Sequence, residues 1–385
     1  MDAADPASTP LALTFVFPCL NEEVTLRDCV TAVRKSLETL DVPFEIVVAD
    51  NGSADRSKEI ATEEGCRVVP VAARGYGAAL RGGIEAAYGE YVMFADSDMT
   101  YLYEHAAPLY EAAKKHDAGM AIASRMIGEI EPGAMPALHR TLGTPVLTGL
   151  INRLFDGKLT DCNSGFRCVR KTEYLSWNIR SSGMEFASEL LIKALKAKTK
   201  TVEIPSGLRC GPPDRVAHLR TWRDGMRHLL FILSEKPALF EWLGLVLAVP
   251  ATLLQIVAGV VGPVEVGGVG IFDVHSQALL LMMAVLGTQL YIFASSLYLR
   301  SKDTSLGMTR RMILMNEGVL FFLLLGVMAG CAALVGTMVI VWARAGFSGL
   351  HQANSLLVVI HVVSVAAMVA IGMLSVHTLK KAHSE

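Results

Sequence analysis

An α/β domain built on a mostly parallel sheet, followed by an all-α domain of four transmembrane helices, is the fold class this sequence predicts. Three observations lead there. Up to about Pro237, apolar runs ended by polar turns alternate with helical patterns. Beyond that point come four long apolar stretches, near 239–260, 277–299, 317–343 and 354–378. Finally, 385 residues that are 52% hydrophobic, with mean hydropathy +0.41, are too apolar for an ordinary soluble enzyme.

Taken in order, residues 1–10 (MDAADPASTP) read as a disordered lead. LALTFVF is the first strand, and Leu26, Val30, Val33, Leu37 and Leu40 then recur on one side of a helix. FEIVVAD is the second strand, closed by the polar turn NGSADRS, which also caps the next helix. CRVVPV, YVMFA and AGMAIAS supply further strands, with helices at 76–88 and 104–115 between them. This βαβα order implies helices on both faces of the sheet, and ligands in such sheets bind outside the carboxyl ends of the strands.

Each of the four apolar stretches reaches the roughly 20 residues needed to cross a bilayer. Before them, residues 216–238 read as an amphipathic juxtamembrane helix, with Arg220, Arg223 and Arg227 on one face and Trp222 and LLFIL supplying apolar surface. Arg300, Lys302, Arg310 and Arg311 follow the second span and Lys380 and Lys381 the fourth, whereas the connector 261–276 has no Lys or Arg. The positive-inside rule therefore places both ends of the chain, including the tail 379–385, in the cytoplasm. Leu11–Phe17 is too short, and lacks the basic lead, to be a signal peptide. Seven cysteines without a C-x-x-C pair or zinc-like His spacing indicate free thiols in a reducing compartment. The net charge of −2 excludes nothing by itself. No nucleic-acid partner is expected, and homo-oligomerisation is left open.

Three strand ends carry the chemistry: Pro18-Cys19-Leu20-Asn21-Glu22-Glu23 after the first strand, Asp50-Asn51-Gly52-Ser53 after the second, and Asp96-Ser97-Asp98 after the fourth. In an extended chain alternate side chains share a face, so Asp96 and Asp98 are expected to point together toward solvent. Two hard oxygen ligands suit Mg2+ or Mn2+ that already carries phosphate oxygens. A solvated turn would also place such a pair. Asp50 either accepts hydrogen bonds from a base or ribose or caps a helix, and Gly52 permits the tight turn. Arg74-Gly75-Tyr76-Gly77 either lets backbone approach a ligand or serves packing.

From Leu11 to Lys236 the sequence resembles the family 2 glycosyltransferases of GT-A type, specifically the polyprenyl-phosphate glycosyltransferases related to dolichol-phosphate mannose synthase. FPCLNEE, VADNGSAD, RGYGAALRGGI, FADSDMTY, TDCNSGFR and GMEFASELLIKA carry the resemblance in this order. It implies a GT-A domain over 11–215, with Pro18, Asn21, Glu22, Asp50 and Asp96 on the donor nucleotide and a metal on Asp96 and Asp98. It further implies that Arg125, Arg140, Thr144 and Arg220 surround the acceptor phosphate. Asp98, Asp161 and Glu189 are the catalytic candidates, the last two for orienting sugar or acceptor. Asn51 stands where the family has a second carboxylate, Thr100 where mannose synthases have Gln, and Ala73 where an Asn precedes the glycine pair.

The expected reaction is inverting transfer of a sugar, glucose or mannose, from a nucleotide-diphosphate sugar to a polyprenyl phosphate. A phosphate acceptor is already anionic, so metal and arginines matter more than a proton-transfer residue. Two alternatives stay open: transfer to another lipid such as diacylglycerol, which would need a base, and a catalytically silent membrane scaffold. Processive polysaccharide synthesis is disfavoured by the absence of Q-x-x-R-W.

Overall fold

The computed structural model describes residues 11–212, 221–267, 269–299, 306–344, 346 and 353–382. The lead 1–10, the segment 213–220 with Arg220, and residues 383–385 of the tail lie outside the described residues. The chain divides into two compact units, Met1–Leu233 and Ser234–Glu385.

In the first unit, β1 (Leu13–Cys19), β2 (Phe44–Asp50) and β3 (Arg67–Pro70) alternate with α1 (Leu26–Leu37) and α2 (Ser57–Glu63). Then come α3 (Tyr76–Ala86), β4 (Tyr91–Phe94), α4 (Ala106–Lys115) and β5 (Met120–Ser124). A π-helical turn, His139–Gly143, leads into α5 (Thr144–Phe155). The unit finishes with β6 (Arg167–Arg170), α6 (Lys171–Trp177), α7 (Phe186–Lys196), β7 (Thr201–Pro205) and α8 (Thr221–Ser234).

The sheet order is β3-β2-β1-β4-β6-β5-β7. All neighbours run parallel except β6, which is antiparallel to both β4 and β5. The chain winds outward from β1 through β2 to β3, then returns to place β4 on the other side of β1. That reversal creates a topological switch point at the carboxyl ends of β1 and β4. All seven residues of β1 are buried, as a central strand covered on both faces requires. Its alternate side chains divide between two cores: Phe15 and Phe17 pack with Val30 and Val33 of α1, and Val16 packs with Leu80 and Ile84 of α3. Helix α3 sits close on the sheet because Gly83 has no side chain; a Cβ there would lie 2.4 Å from Val16 Cγ1 and 3.0 Å from the Ala49 Cβ.

Two boundaries differ from the sequence reading. The first unit extends past residue 215, because α8 is joined to it: Ile232 is buried in the core shared by α3 and α7, and His228 Nδ1 lies 2.7 Å from Ser188 Oγ. The amphipathic stretch is also two helices, since Pro237 begins a new one, a position where its missing N–H costs nothing.

The second unit holds α9 (Pro237–Val261), a hairpin of β8 (Val264–Val266) and β9 (Val269–Ile271), α10 (Val274–Tyr298), α11 (Gly307–Ile313), α12 (Glu317–Arg344) and α13 (Ala353–Ala382). The helices Pro237–Val261, Val274–Tyr298, Glu317–Arg344 and Ser355–Lys380 are long and apolar enough to cross a membrane. Helix α13 continues to Ala382, into what the sequence reading assigned to the tail. Small residues let α9 and α10 approach closely: a Cβ on Gly244 would stand 2.7 Å from Gly287 O. Several polar groups inside this unit find partners. Gln255 Nε2 donates to Gln277 Oε1 (3.0 Å), and Glu241, only 1% exposed, accepts from Tyr298 Oη (2.6 Å), from Thr309 Oγ1 and from Leu306 N (3.4 Å).

Gly83→Val forces side-chain atoms into Val16 and Ala49 and should destabilise the first unit by about 1–3 kcal/mol. Thermal unfolding of the full chain in detergent measures this, as an earlier transition for that unit with the membrane helices unaffected.

Candidate active site

Hydrogen bonds lace the turns after β1 and β2 together. Asn21, at φ 59°, accepts Ala54 N–H on its Oδ1 (2.8 Å) and donates its own N–H to Ser53 Oγ (3.0 Å). Glu22 N–H donates to Ser57 Oγ (2.9 Å), and Glu23 N–H to Asp55 Oδ2 (3.0 Å). Asp50 is buried and folds back on its own turn, its two oxygens accepting Gly52 N–H (3.1 Å) and Ser53 N–H (2.9 Å). Gly52 takes φ 89°, in the left-handed region.

Asn51 explains its departure from the family's carboxylate. Its buried amide donates to Val71 O (3.2 Å) and Ala73 O (2.7 Å), while its Oδ1 accepts Gly75 N–H (2.8 Å). A carboxylate has no proton to give those two carbonyls. The clasp carries Arg74 onto the turn, where its Nη1 donates to Asn51 O (2.5 Å) and the guanidinium lies over Gly52.

Asp96 and Asp98 do not sit on an extended strand. β4 ends at Phe94, and a bend follows in which Met99 has φ 61°. Ser97, between the two aspartates, locks this bend to β1: its Oγ donates to Pro18 O (2.9 Å), and its carbonyl accepts Thr25 Oγ1 (2.6 Å). Asp98 is 6% exposed, not solvent-facing, because its Oδ1 accepts both Thr100 N–H (3.0 Å) and Thr100 Oγ1 (2.5 Å). Thr100 therefore orients Asp98. Asp96 is half-buried; its Oδ1 accepts Tyr76 Oη (2.7 Å) and its carbonyl accepts Tyr103 Oη (2.5 Å). Burial, and then the Asp96 charge, hold the Tyr76 phenol well above the usual tyrosine range, so it is a donor at any ordinary pH.

Asp161 and Arg125 form one buried unit. Arg125 Nε and Nη2 grip the two carboxylate oxygens at 2.7 and 2.9 Å, and the N–H groups of Arg125 and Asn163 add bonds of 3.1 and 3.0 Å. Burial alone would raise the Asp161 pKa, but the guanidinium and the amides overcome it and hold the carboxyl below its usual range. Asp161 is 0% exposed, and both of its oxygens are engaged by Arg125. Glu189 is likewise engaged by protein groups. It is buried, paired with Lys193 (2.5 Å), and accepts Arg180 N–H (3.0 Å) and Ser181 N–H (2.7 Å), anchoring a loop. Burial pushes its carboxyl up, and Lys193 and Ser181 more than reverse that.

Thr144 is buried at the start of α5, its Oγ1 accepting Asn163 Nδ2 (3.3 Å), which links it to the Arg125–Asp161 unit. Arg140 is exposed in the π-helical turn and is not joined to that network by any hydrogen bond among the described residues. Sequence reasoning missed Ser97, Asn163 and Arg167. The last is fully buried with no carboxylate bound to it among the described residues; Nη1 donates to Ala187 O and Nη2 to Cys162 O. Its place inside TDCNSGFR was the available signal.

Polar turns at the ends of three adjacent strands, with a D-x-D bend locked to the central one, define a transferase domain of GT-A type. Residues 14–174 match Glycosyl transferase family 2. The low-salt glycan biosynthesis hexosyltransferase Agl6 of Haloferax volcanii is 35% identical over 294 residues, covering 76% of this chain and 70% of that one. The undecaprenyl-phosphate 4-deoxy-4-formamido-L-arabinose transferase of Edwardsiella ictaluri is 29% identical over 167 residues, 42% of this chain and 49% of its own. Among solved structures, glucosyl-3-phosphoglycerate synthase from Mycobacterium tuberculosis aligns with TM-score 0.45 and 20% identity, over 58% of this chain and 78% of that one. This chain belongs to glycosyl transferase family 2.

Asp161→Asn leaves the Arg125 guanidinium buried without its counter-charge and should cost about 3–5 kcal/mol. Because the folded-state pKa of Asp161 lies below its unfolded value, its contribution is present above about pH 4 and is lost as pH falls further. Unfolding midpoints measured against pH should show a shallower acid limb in the variant than in the parent.

Proposed function

We propose that this chain is an integral-membrane, inverting glycosyltransferase that moves a hexose, glucose or mannose, from a nucleotide-diphosphate sugar to a polyprenyl phosphate. The observation that carries this is the Asp96-Ser97-Asp98 bend, fixed beside the β1 and β2 turns, in a chain with four membrane-length helices. The relative named for undecaprenyl phosphate supports a lipid-phosphate acceptor, and Agl6 supports hexosyl transfer into a glycan. The basic residues Arg310, Arg311 and Lys380 beside the second and fourth spans support a cytoplasmic catalytic unit and cytoplasmic termini.

Asp96 and Asp98 fit Mg2+ or Mn2+. Both are hard oxygen donors, each steadied through one oxygen by a neutral hydroxyl. Among the described residues no three His, Cys, Asp or Glu side chains gather to hold an ion. A metal held by two carboxylates completes its shell with substrate phosphates and water. When bound, it supplies neutralisation of the charge that develops on the leaving diphosphate.

In the reaction an acceptor phosphate oxygen attacks the anomeric carbon from the face opposite the leaving group. The bond from that carbon to the donor diphosphate oxygen breaks, its electron pair leaves with the nucleoside diphosphate, and the sugar is inverted. No proton must be removed from the nucleophile, which agrees with Asp161 and Glu189 being spent on structure. Asp50, Asn21, Glu22 and the Pro18 turn shape the nucleotide site. Exposed Arg140 contacts the acceptor phosphate together with Arg220, while Arg125 and Thr144 are tied to each other through Asp161 and Asn163.

Purified full-length protein, incubated with a panel of nucleotide sugars and polyprenyl phosphate, should yield a glycosyl phospho-polyprenol by mass analysis. A neutral glycolipid from diacylglycerol as the sole product would overturn the reading. Asp98→Asn keeps an oxygen acceptor for Thr100 but removes a charge, and should lower the rate about a hundredfold or more without unfolding. Arg140→Lys replaces a two-pronged phosphate grip by a point charge, and should lower efficiency toward polyprenyl phosphate about tenfold while nucleotide affinity holds. A fall in nucleotide affinity instead would remove Arg140 from the acceptor site.

A further inference from the structure

The Arg74-Gly75-Tyr76-Gly77 segment is the sequence motif that the proposed reaction leaves without a task. Its glycines serve packing. A Cβ on Gly75 would stand 2.1 Å from Ser182 O, and one on Gly77 2.7 Å from Ser181 O; Gly75 also takes φ 125°. These contacts seat the first turn of α3 on the 180–183 loop, where Ala78 N–H donates to Ser182 O (3.1 Å) and Glu189 holds Ser181 N–H. From the other side, Asn51 Oδ1 holds Gly75 N–H. Tyr76 is thus fixed from two directions, and its hydroxyl reaches Asp96 Oδ1 at 2.7 Å. The other oxygen, Oδ2, lies over Gly165, where a Cβ would stand only 3.1 Å away.

We infer that Tyr76 is a positioning residue for the proposed metal site: it engages Asp96 Oδ1 so that the carboxylate presents Oδ2, and it ties that orientation to the nucleotide turn through Asn51 and Gly75. This rests on the reading of Asp96 as a metal ligand. A carboxylate anchored through one oxygen binds a cation through the other without first giving up its freedom to rotate. Phenol supplies this without adding charge, where a lysine in the same place would cancel the carboxylate it steadies. The segment therefore acts on the donor diphosphate indirectly, through Asp96, rather than as a glycine cradle for phosphate.

The test is Tyr76→Phe in the full chain in detergent, with Asp96→Asn as companion. Mn2+ binding is followed by electron paramagnetic resonance, with Mn2+ alone and then with UDP or GDP as probe. Loss of a supporting hydrogen bond of this kind typically costs about 10–100-fold in metal affinity or activity. Half-saturating Mn2+ for Tyr76→Phe should therefore rise by about tenfold or more. Turnover should recover when Mn2+ is raised, with KM for the nucleotide sugar unchanged at saturating metal; a merely misfolded variant would not be rescued in this way. A Tyr76→Phe titration that overlays the parent while Asp96→Asn abolishes binding overturns the role of Tyr76 and leaves the metal site standing. If Asp96→Asn also overlays the parent, the metal assignment falls and the role of Tyr76 falls with it.

Discussion

The amide of Asn51 is the group on which the arrangement of the site depends. It is buried at the end of β2 and satisfies three backbone groups of the 71–75 segment at once. Where such a group is shielded from water, losing its partner costs roughly 1–3 kcal/mol. Everything N-terminal in α3 follows from it: the path of Arg74 over Gly52, the entry angle at Gly75, and the place of Tyr76 beside Asp96. The residue that looks like a defect in the nucleotide motif is therefore the joint between the nucleotide turn and the D-x-D bend.

Ser97 plays the matching part on the other strand. Its hydroxyl and carbonyl are both committed to the β1 side, through Pro18 and Thr25. The backbone that carries the two aspartates is thus held by the serine between them. One oxygen of each remains governed by a neutral hydroxyl, from Tyr76 or Thr100. Neutral donors fix geometry while leaving the negative charge in place, which a site built to attract a cation requires.

Much of this fold was legible because β1, β2, β4 and β5 are near-continuous apolar runs, as strands covered on both faces must be. β6 was not. It has arginine at both ends, and Arg167 is tolerated inside only because Ala187 O and Cys162 O, distant or awkward in sequence, accept its protons. Its antiparallel insertion depends on the excursion through α5, which no local pattern encodes. At the site, Asp50, Asp96 and Asp98 were placed at the right strand ends by pattern alone. Their hydrogen-bond partners were not, since Tyr76 and Asp96 meet only once the sheet register and the α3 turn are fixed. Asp161 and Glu189 were named from their motifs; their burial and their pairing with Arg125 and Lys193 emerge only in the fold. The β8–β9 hairpin, in the connector between the first two spans, was not anticipated from the sequence.

Glu241 has a consequence for the order in which the chain is made. It lies five residues into α9, the first membrane-length helix, yet its partners arrive late: Tyr298 is 57 residues downstream and Thr309 is 68. At ordinary rates of synthesis, about 5–20 residues per second, α9 stands for several seconds before either exists. During that interval its carboxylate cannot enter hydrocarbon alone without a cost of a few kcal/mol. The first helix must therefore wait with its starting end in contact with water or with the insertion machinery, and it seats fully only when α10 and α11 emerge. Assembly of the membrane unit is gated by its third helical segment, so a chain that stops after α10 would carry an unfinished first helix.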